Sequence, residues 1–428
     1  MSWIVGTATD YLDLSDQVVA AASNESLDSA TVAAAGTGYA VGNVLTLSGG
    51  TFSIAAQMEV TSVGGSGEVT GVRRFNDGVY TVTPGNPVST SGGDGTGCTL
   101  TASWISNGWA VERDTTWSGS EKEVILNGSG GGSDEIYVGW RTLRNVGVPY
   151  YNWELHGFTG FDAGLAHDEQ PGASPGFHDA DLDANKAGCY LTLNDASMNY
   201  WLSVTPYRIR LHVRVGSAIF HAYLGYANRF ATALEYPYPL LIAGNASLFS
   251  ESYAQGKLTS TLTDPWRNSA AAGSTTGPMV LLDPANTWHG IANASTSAST
   301  RSQLRDRVVA PSVSPNGVST ASQDDKFVSS SAQTWHDIFP QTGLTSTPTA
   351  YIYMTDDSGG DIIPLTPSII VFSSPAIQVM AEIDDVYWVS AFGGVQTEDR
   401  ITVNGEVYRI FQNCNRTDLY AYMAVKER

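Results

Sequence analysis

Residues 135–178 read EIYVGWRTLRNVGVPYYNWELHGFTGFDAGLAHDEQPGASPGFH, and the fold is decided in this stretch. It opens with Ile136, Val138 and Trp140 at alternate positions, the period of a strand with one buried face. Aromatic residues then crowd it at Tyr150, Tyr151, Trp153, Phe158 and Phe161. Rings at this density bury a large area per residue, so the stretch is predicted to centre a core or an interface. It ends in a loop rich in Gly, Pro and Asp.

Strand texture continues on both sides. Downstream, residues 208–215 place Ile209, Leu211, Val213 and Val215 on one face and Arg208, Arg210, His212 and Arg214 on the other. This predicts a half-buried strand with a cationic outer face, offset by neighbouring acids, and residues 219–226 as its hairpin partner. Upstream, residues 109–113 and 123–126 read as strands, followed by the GSGGG turn at 128–132. Between residues 34 and 104 lie short alternating runs split by glycine clusters, with Cys98, Leu100, Ala102 and Trp104 on one face. Within them, Asn76-Asp77-Gly78 is predicted as a hairpin turn of type I′. Near the start, a T-x-x-D pattern at Thr7 and Asp10 predicts a helix carrying Tyr11, Leu14, Val18 and Ala22 and stopping at Asn24. At the other end, Asn404-Gly405 between residues 401–403 and 406–411 predicts an I′ hairpin.

Composition agrees with these readings. The 428 residues suit two to four domains, at about 100–200 residues each. A hydrophobic fraction of 42% and an aromatic fraction of 10% exclude wholesale disorder. Abundant Gly and Pro between short apolar runs favour sheets over helical bundles. The expected fold class is mainly β: a multi-domain sandwich or barrel-like chain with a short N-terminal helix and a small inserted all-β module. The expected parts are 1–29 plus 105–267 as a discontinuous β-rich domain, 30–104 as the glycine-rich insert, and 346–428 as a C-terminal β domain. Residues 268–345, rich in Ser, Thr and Ala, are expected to be an irregular connection, with Trp266, Trp288 and Trp335 as anchors of the aromatic-poor stretch 244–345.

Charge and motifs exclude several function classes. A net charge of −20 argues against nucleic acid, because phosphate contacts need clustered Lys and Arg. No run approaches the roughly 20 apolar residues of a membrane span, and residues 1–12 lack the pattern of a signal peptide. Cys98, Cys189 and Cys414 are expected to be buried, reduced thiols, since no C-x-x-C spacing exists. The best metal-like cluster is Asp179, Asp181, Asp183 and Asn185. It fails the EF-hand pattern at Ala184, where Gly is required, and at Tyr190, where Glu is required. A solvated acidic loop is therefore expected, with bound Ca²⁺ as the alternative, and no metal or cofactor is assigned. His167-Asp168-Glu169 and His178-Asp179 are read as loop chemistry rather than an acid–base site. Asp356-Asp357 and Asp384-Asp385 are expected to diverge, as adjacent side chains on a strand do. No G-x-S-x-G, P-loop or Rossmann fingerprint is present, so no catalytic residue is assigned.

Two resemblances narrow the function. GTGYAVGNVLTLSGG (36–50), MEVTSVGGSGEVTGV (58–72) and GDGTGCTLTASW (93–104) resemble a glycine-rich β-module of tailed-bacteriophage structural proteins and fibres. Across most of the chain, YLDL (11–14), DEIYVGWRT (134–142), YYNWELHGFTGFDAGLAHDEQPGASPG (150–176), YANRFATALEYPYPLLIAG (226–244) and residues 384–426 are similar to a group of phage virion structural proteins. The resemblance implies a non-enzymatic structural component of the virion, made in the host cytoplasm and placed in the tail, collar or baseplate region. The implied partners are further copies of the chain and other tail, neck or baseplate proteins. The alternative is a receptor- or polysaccharide-binding tail protein, with depolymerase activity as an extension and a host surface glycan as ligand. Candidate interface or glycan-stacking aromatics are Tyr150, Tyr151, Trp153, Phe158, Phe161, Tyr236 and Tyr238.

Overall fold

The first seven residues after Met1, SWIVGTA, form a strand ahead of the predicted helix, and sequence reasoning missed it. The computed structural model describes residues 1–129, 135–145, 150–174, 189–229, 239–244, 279–283, 286–291, 307–309, 326–328, 335–337, 354–355, 361–362, 366–372, 378–389, 396–412 and 422–427. The chain is mainly β, as its composition and periodicity predict, and its paired strands are antiparallel.

The first strand is the edge of a central seven-stranded sheet. Its order is Ser2–Ala8, Met198–Thr205, Arg208–Val215, Ala218–Tyr226, Leu240–Ala243, Met279–Leu282 and Trp288–Ile291. Both faces of this sheet are covered. Ile4, Leu202, Leu211, Phe220 and Ile242 pack on a five-stranded sheet running Trp109–Ser118, Glu121–Gly128, Ile136–Asn145, Tyr150–Phe158 and Cys189–Leu193. On the opposite face, Trp3, Trp201, Tyr223 and Leu281 pack on Ile383, Phe411, Met423 and Val425 of a C-terminal sheet. That third sheet is built on Thr366–Phe372, Gln378–Val389, Tyr422–Lys426, Glu406–Gln412 and Arg400–Val403. Three β layers therefore stack with two buried seams. The cationic row predicted to face outward, Arg208, Arg210 and His212, is buried in the second seam. Alternation shows that a strand has two kinds of face but not what lies over each.

The helix α1 (Tyr11–Ser23) plugs one side of the first seam with Tyr11, Leu14, Val18 and Ala22. Its cap differs from the predicted pattern: Thr7 belongs to the strand, and Asp10 is itself the N-cap, accepting from the Leu12 and Asp13 N–H groups at 2.8 Å. Asn24 ends the helix as expected.

Immediately after the helix, residues 25–106 form a separate eight-stranded sheet. Its order is Thr51–Ile54, Val79–Val82, Glu25–Thr37, Thr96–Ser106, Val88–Ser91, Val44–Leu47, Gln57–Val63 and Val69–Asn76. Entry and exit strands pair from Glu25↔Ser106 to Thr37↔Thr96, and Leu27, Leu45, Met58, Tyr80 and Leu100 form their own core. Asn76-Asp77-Gly78 is not a hairpin turn. The strands on either side of it pair elsewhere, and among these three residues only Gly78 has positive φ, whereas an I′ turn needs it at both central positions. The corner instead seals the free edge of the first strand. Trp3 N–H donates to the Asp77 carboxylate at 2.6 Å, Asp77 N–H donates to Trp3 C=O at 2.8 Å, and the Asn76 amide donates to Val5 C=O at 2.8 Å. The Asn404-Gly405 hairpin forms as predicted, with φ of 53° and 85° and Val403 opposite Glu406.

Candidate functional site

The strand Tyr150–Phe158 separates the aromatic candidates by parity. Trp153 points into the first seam, stacks on Trp140 at 5.0 Å, and its indole N–H donates to Tyr11 C=O at 3.0 Å. Phe158, on the other face, is covered by the loop that follows and meets the His167 ring edge-on at 5.2 Å. Neither is an exposed stacking platform, because each ring's area is taken up by packing within the chain. Tyr151 is half-buried against Tyr11, and its hydroxyl donates to Asp195 at 2.6 Å. Phe161 is half-buried beneath the Arg113 guanidinium at 5.5 Å. The side chains of Tyr150, Tyr236 and Tyr238 lie outside the described residues, as do Asp179, Asp181, Asp183, His178, Asp356-Asp357 and Cys414. Cys98 and Cys189 are buried free thiols, the latter pushed by burial to about 12.

Beneath the loop, alternate residues of the same strand build a buried polar cluster. His156 Nε2 lies 3.4 Å from Glu154, and its Nδ1 lies 3.4 Å from Ser174 Oγ. Ser174 Oγ also accepts the Gly157 N–H at 3.1 Å, while Ser174 N–H donates to Gly157 C=O at 2.9 Å. The serine is thereby held as a strand-like clamp on the loop, and both side-chain distances exceed the reach of a proton-transfer pair. Glu123 gathers Arg113 at 3.1 Å, Arg141 at 3.5 Å and His167 Nδ1 at 3.9 Å, and Arg141 also reaches Asp168 at 3.0 Å. Burial first, then His156, Arg141 and Arg113, hold His167 well below the ordinary histidine value. Among the described residues no group of three or more His, Cys, Asp or Glu is placed to hold a metal ion.

A buried charge network joins the central and C-terminal sheets. Arg208 pairs with both Asp384 and Asp385, the latter at 3.0 Å. Arg210 donates to Asp384 C=O at 2.8 Å and to Ser203 Oγ at 2.9 Å. Burial, then Arg208, pushes Arg210 down to about 10. Adjacent aspartates were expected to diverge, yet both reach one arginine. The strand bulges here, so that Ser368 pairs with Ile383 while Pro367 pairs with Tyr387, and Asp385 takes a left-handed φ of 57°. Next along the same face, His212 Nδ1 lies 2.9 Å from His221 Nδ1, and His212 stacks on Phe411 at 4.6 Å. Sequence reasoning missed this joint. The available signal was that Trp201, Ser203 and Tyr223, which flank the cationic row, carry no negative charge, so its counter-ions had to come from another layer.

A second network links the glycine-rich sheet to the C-terminal hairpin. Arg400 bridges Glu59 and Glu427, each at 2.8 Å, and stacks over Phe75 at 5.1 Å. Arg409 donates to Glu427 at 3.1 Å, and Arg73 to Glu59 at 2.8 Å. Burial opposes it, but Arg73 and Arg400 hold the Glu59 carboxyl below its usual range. No protein-family model matches the chain, and no curated protein matches it.

Proposed function

We propose that the chain is a non-enzymatic structural component of a tailed-phage virion, making multi-subunit contacts in the tail, collar or baseplate region. The observation that carries this reading is where the charged side chains are used. Arg208 and Arg210 with Asp384 and Asp385, and Arg400 with Glu59 and Glu427, tie segments from distant parts of the sequence to one another. Buried ion pairs contribute little net stability, because desolvation offsets their attraction, but they fix one arrangement of the layers. Fixed geometry between layers suits a part that must repeat identically around a particle axis. The similarity of residues 11–14, 134–142, 150–176, 226–244 and 384–426 to virion structural proteins supports the same reading. The partners are then further copies of this chain and neighbouring tail, neck or baseplate proteins. Mass spectrometry of purified particles should detect the chain, and particle density should place it at symmetric positions. Absence from the particle, or turnover of a host polysaccharide by the purified chain, would favour a receptor- or glycan-acting tail protein instead.

A further inference from the structure

The seam between the central and C-terminal sheets contains a titratable group that neither ion-pair network uses. His212 is fully buried, and its ring lies flat on Phe411 of the C-terminal sheet. On its own strand the same face carries Arg208 and Arg210. The strand on one side presents Trp201 and Ser203, and the strand on the other presents His221 and Tyr223. From the C-terminal sheet come Phe411 and, around the arginines, Asp384 and Asp385. Arg214, beyond the seam's end, is paired with Glu398. The two arginines are thus matched by two carboxylates, and among the described residues no carboxylate pairs with His212.

We propose that His212 makes the docking of the C-terminal sheet acid-labile, so that the layer lifts from the central sheet as pH falls below neutrality. A neutral imidazole can share one proton with His221 across the 2.9 Å Nδ1–Nδ1 contact. A second proton puts N–H groups on both ring nitrogens. Among the described residues Nε2 has no hydrogen-bond partner, and Arg210 adds like charge beside it. Opening the seam hydrates the imidazolium, so the open form takes up more protons than the docked form. Docking is therefore at full strength above the ordinary histidine value of about 6.5 and weakens progressively below it. Two of the other buried histidines have a carboxylate beside them: Glu154 lies 3.4 Å from His156, and Glu123 lies 3.9 Å from His167.

The test is amide hydrogen exchange of the full chain from about pH 7.5 to about pH 5, corrected for intrinsic rates. Expected is an opening equilibrium at Ile383, Phe411, Met423 and Val425 that rises by about tenfold or more per pH unit below 6.5, as uptake of at least one proton requires. Val138, Leu155 and Val204, in the first seam, should keep their protection over the same range. His212→Gln and His212→Phe should both flatten the pH dependence. Unchanged protection of the C-terminal strands in the wild-type chain overturns the proposal without recourse to a variant. Equal loss in both seams, or an undiminished pH dependence in a folded His212 variant, overturns it as well.

Discussion

At the scale of single residues, the informative groups are buried charges that gather more than one partner. Glu427 is fully buried and receives both Arg400 and Arg409. Glu427→Gln should cost on the order of 3 kcal/mol, because it leaves two guanidinium groups sharing one fewer buried anion. Urea unfolding would measure this, and a loss below about 0.5 kcal/mol, typical of a solvent-exposed pair, would contradict it. Trp153→Ala should be comparably damaging, at about 3–5 kcal/mol, since it removes the partner stacked on Trp140 inside the first seam. A strong chelator should leave the melting temperature unchanged, as the departures from the EF-hand pattern at Ala184 and Tyr190 imply. A fall reversed by added Ca²⁺ would make Asp179, Asp181 and Asp183 ligands.

At the scale of elements, the C-terminal hairpin offers a clean measurement. An added Cβ at Gly405 would meet nothing within 4 Å, so any cost of Gly405→Ala is the backbone cost of φ at 85°. Roughly 1–2 kcal/mol is expected from equilibrium unfolding, and a neutral result would mean that the turn has changed type. This hairpin was legible in the sequence because its turn chemistry is local. The helix and the alternation of Cys98, Leu100 and Ala102 were legible for the same reason. Three features were not, and each depends on chain that is remote in sequence. Asp77-Gly78 has the composition of a hairpin turn, but the Asp77 carboxylate is bound to Trp3. The row Arg208, Arg210 and His212 alternates like a solvated face, but a third sheet covers it. Asp384 and Asp385 would diverge on a regular strand, but a bulge turns both toward Arg208. Of the aromatic candidates, Trp153 and Phe158 fell on opposite faces of one strand, and both faces proved to be covered.

At the scale of the whole molecule, the glycine-rich sheet enters and leaves through one pair of adjacent strands, which predicts that it can be excised. Replacing residues 30–105 with a short linker should leave a soluble chain with a cooperative but lower melt, visible by calorimetry. The lowering is expected because Trp3 and Val5 lose their edge partners and Arg400 loses Glu59. Aggregation or a missing transition would show that the sheet is integral to the fold. The same edge contact bears on the order in which the chain folds. Residues 2–8 are made well before the strand they pair with, because that partner at 198–204 follows about two hundred residues later. Such high contact order leaves an apolar strand waiting while the rest is synthesised. Asp77 and Asn76 are complete long before that, and they hold Trp3 and Val5 on the edge that the later strand does not use. The module is thereby placed to escort the strand Ser2–Ala8 until its later partner is made. Asp77→Ala should therefore reduce the yield of folded protein during synthesis more than it reduces the stability of protein already folded. Equal losses in the two measurements would remove the escort role.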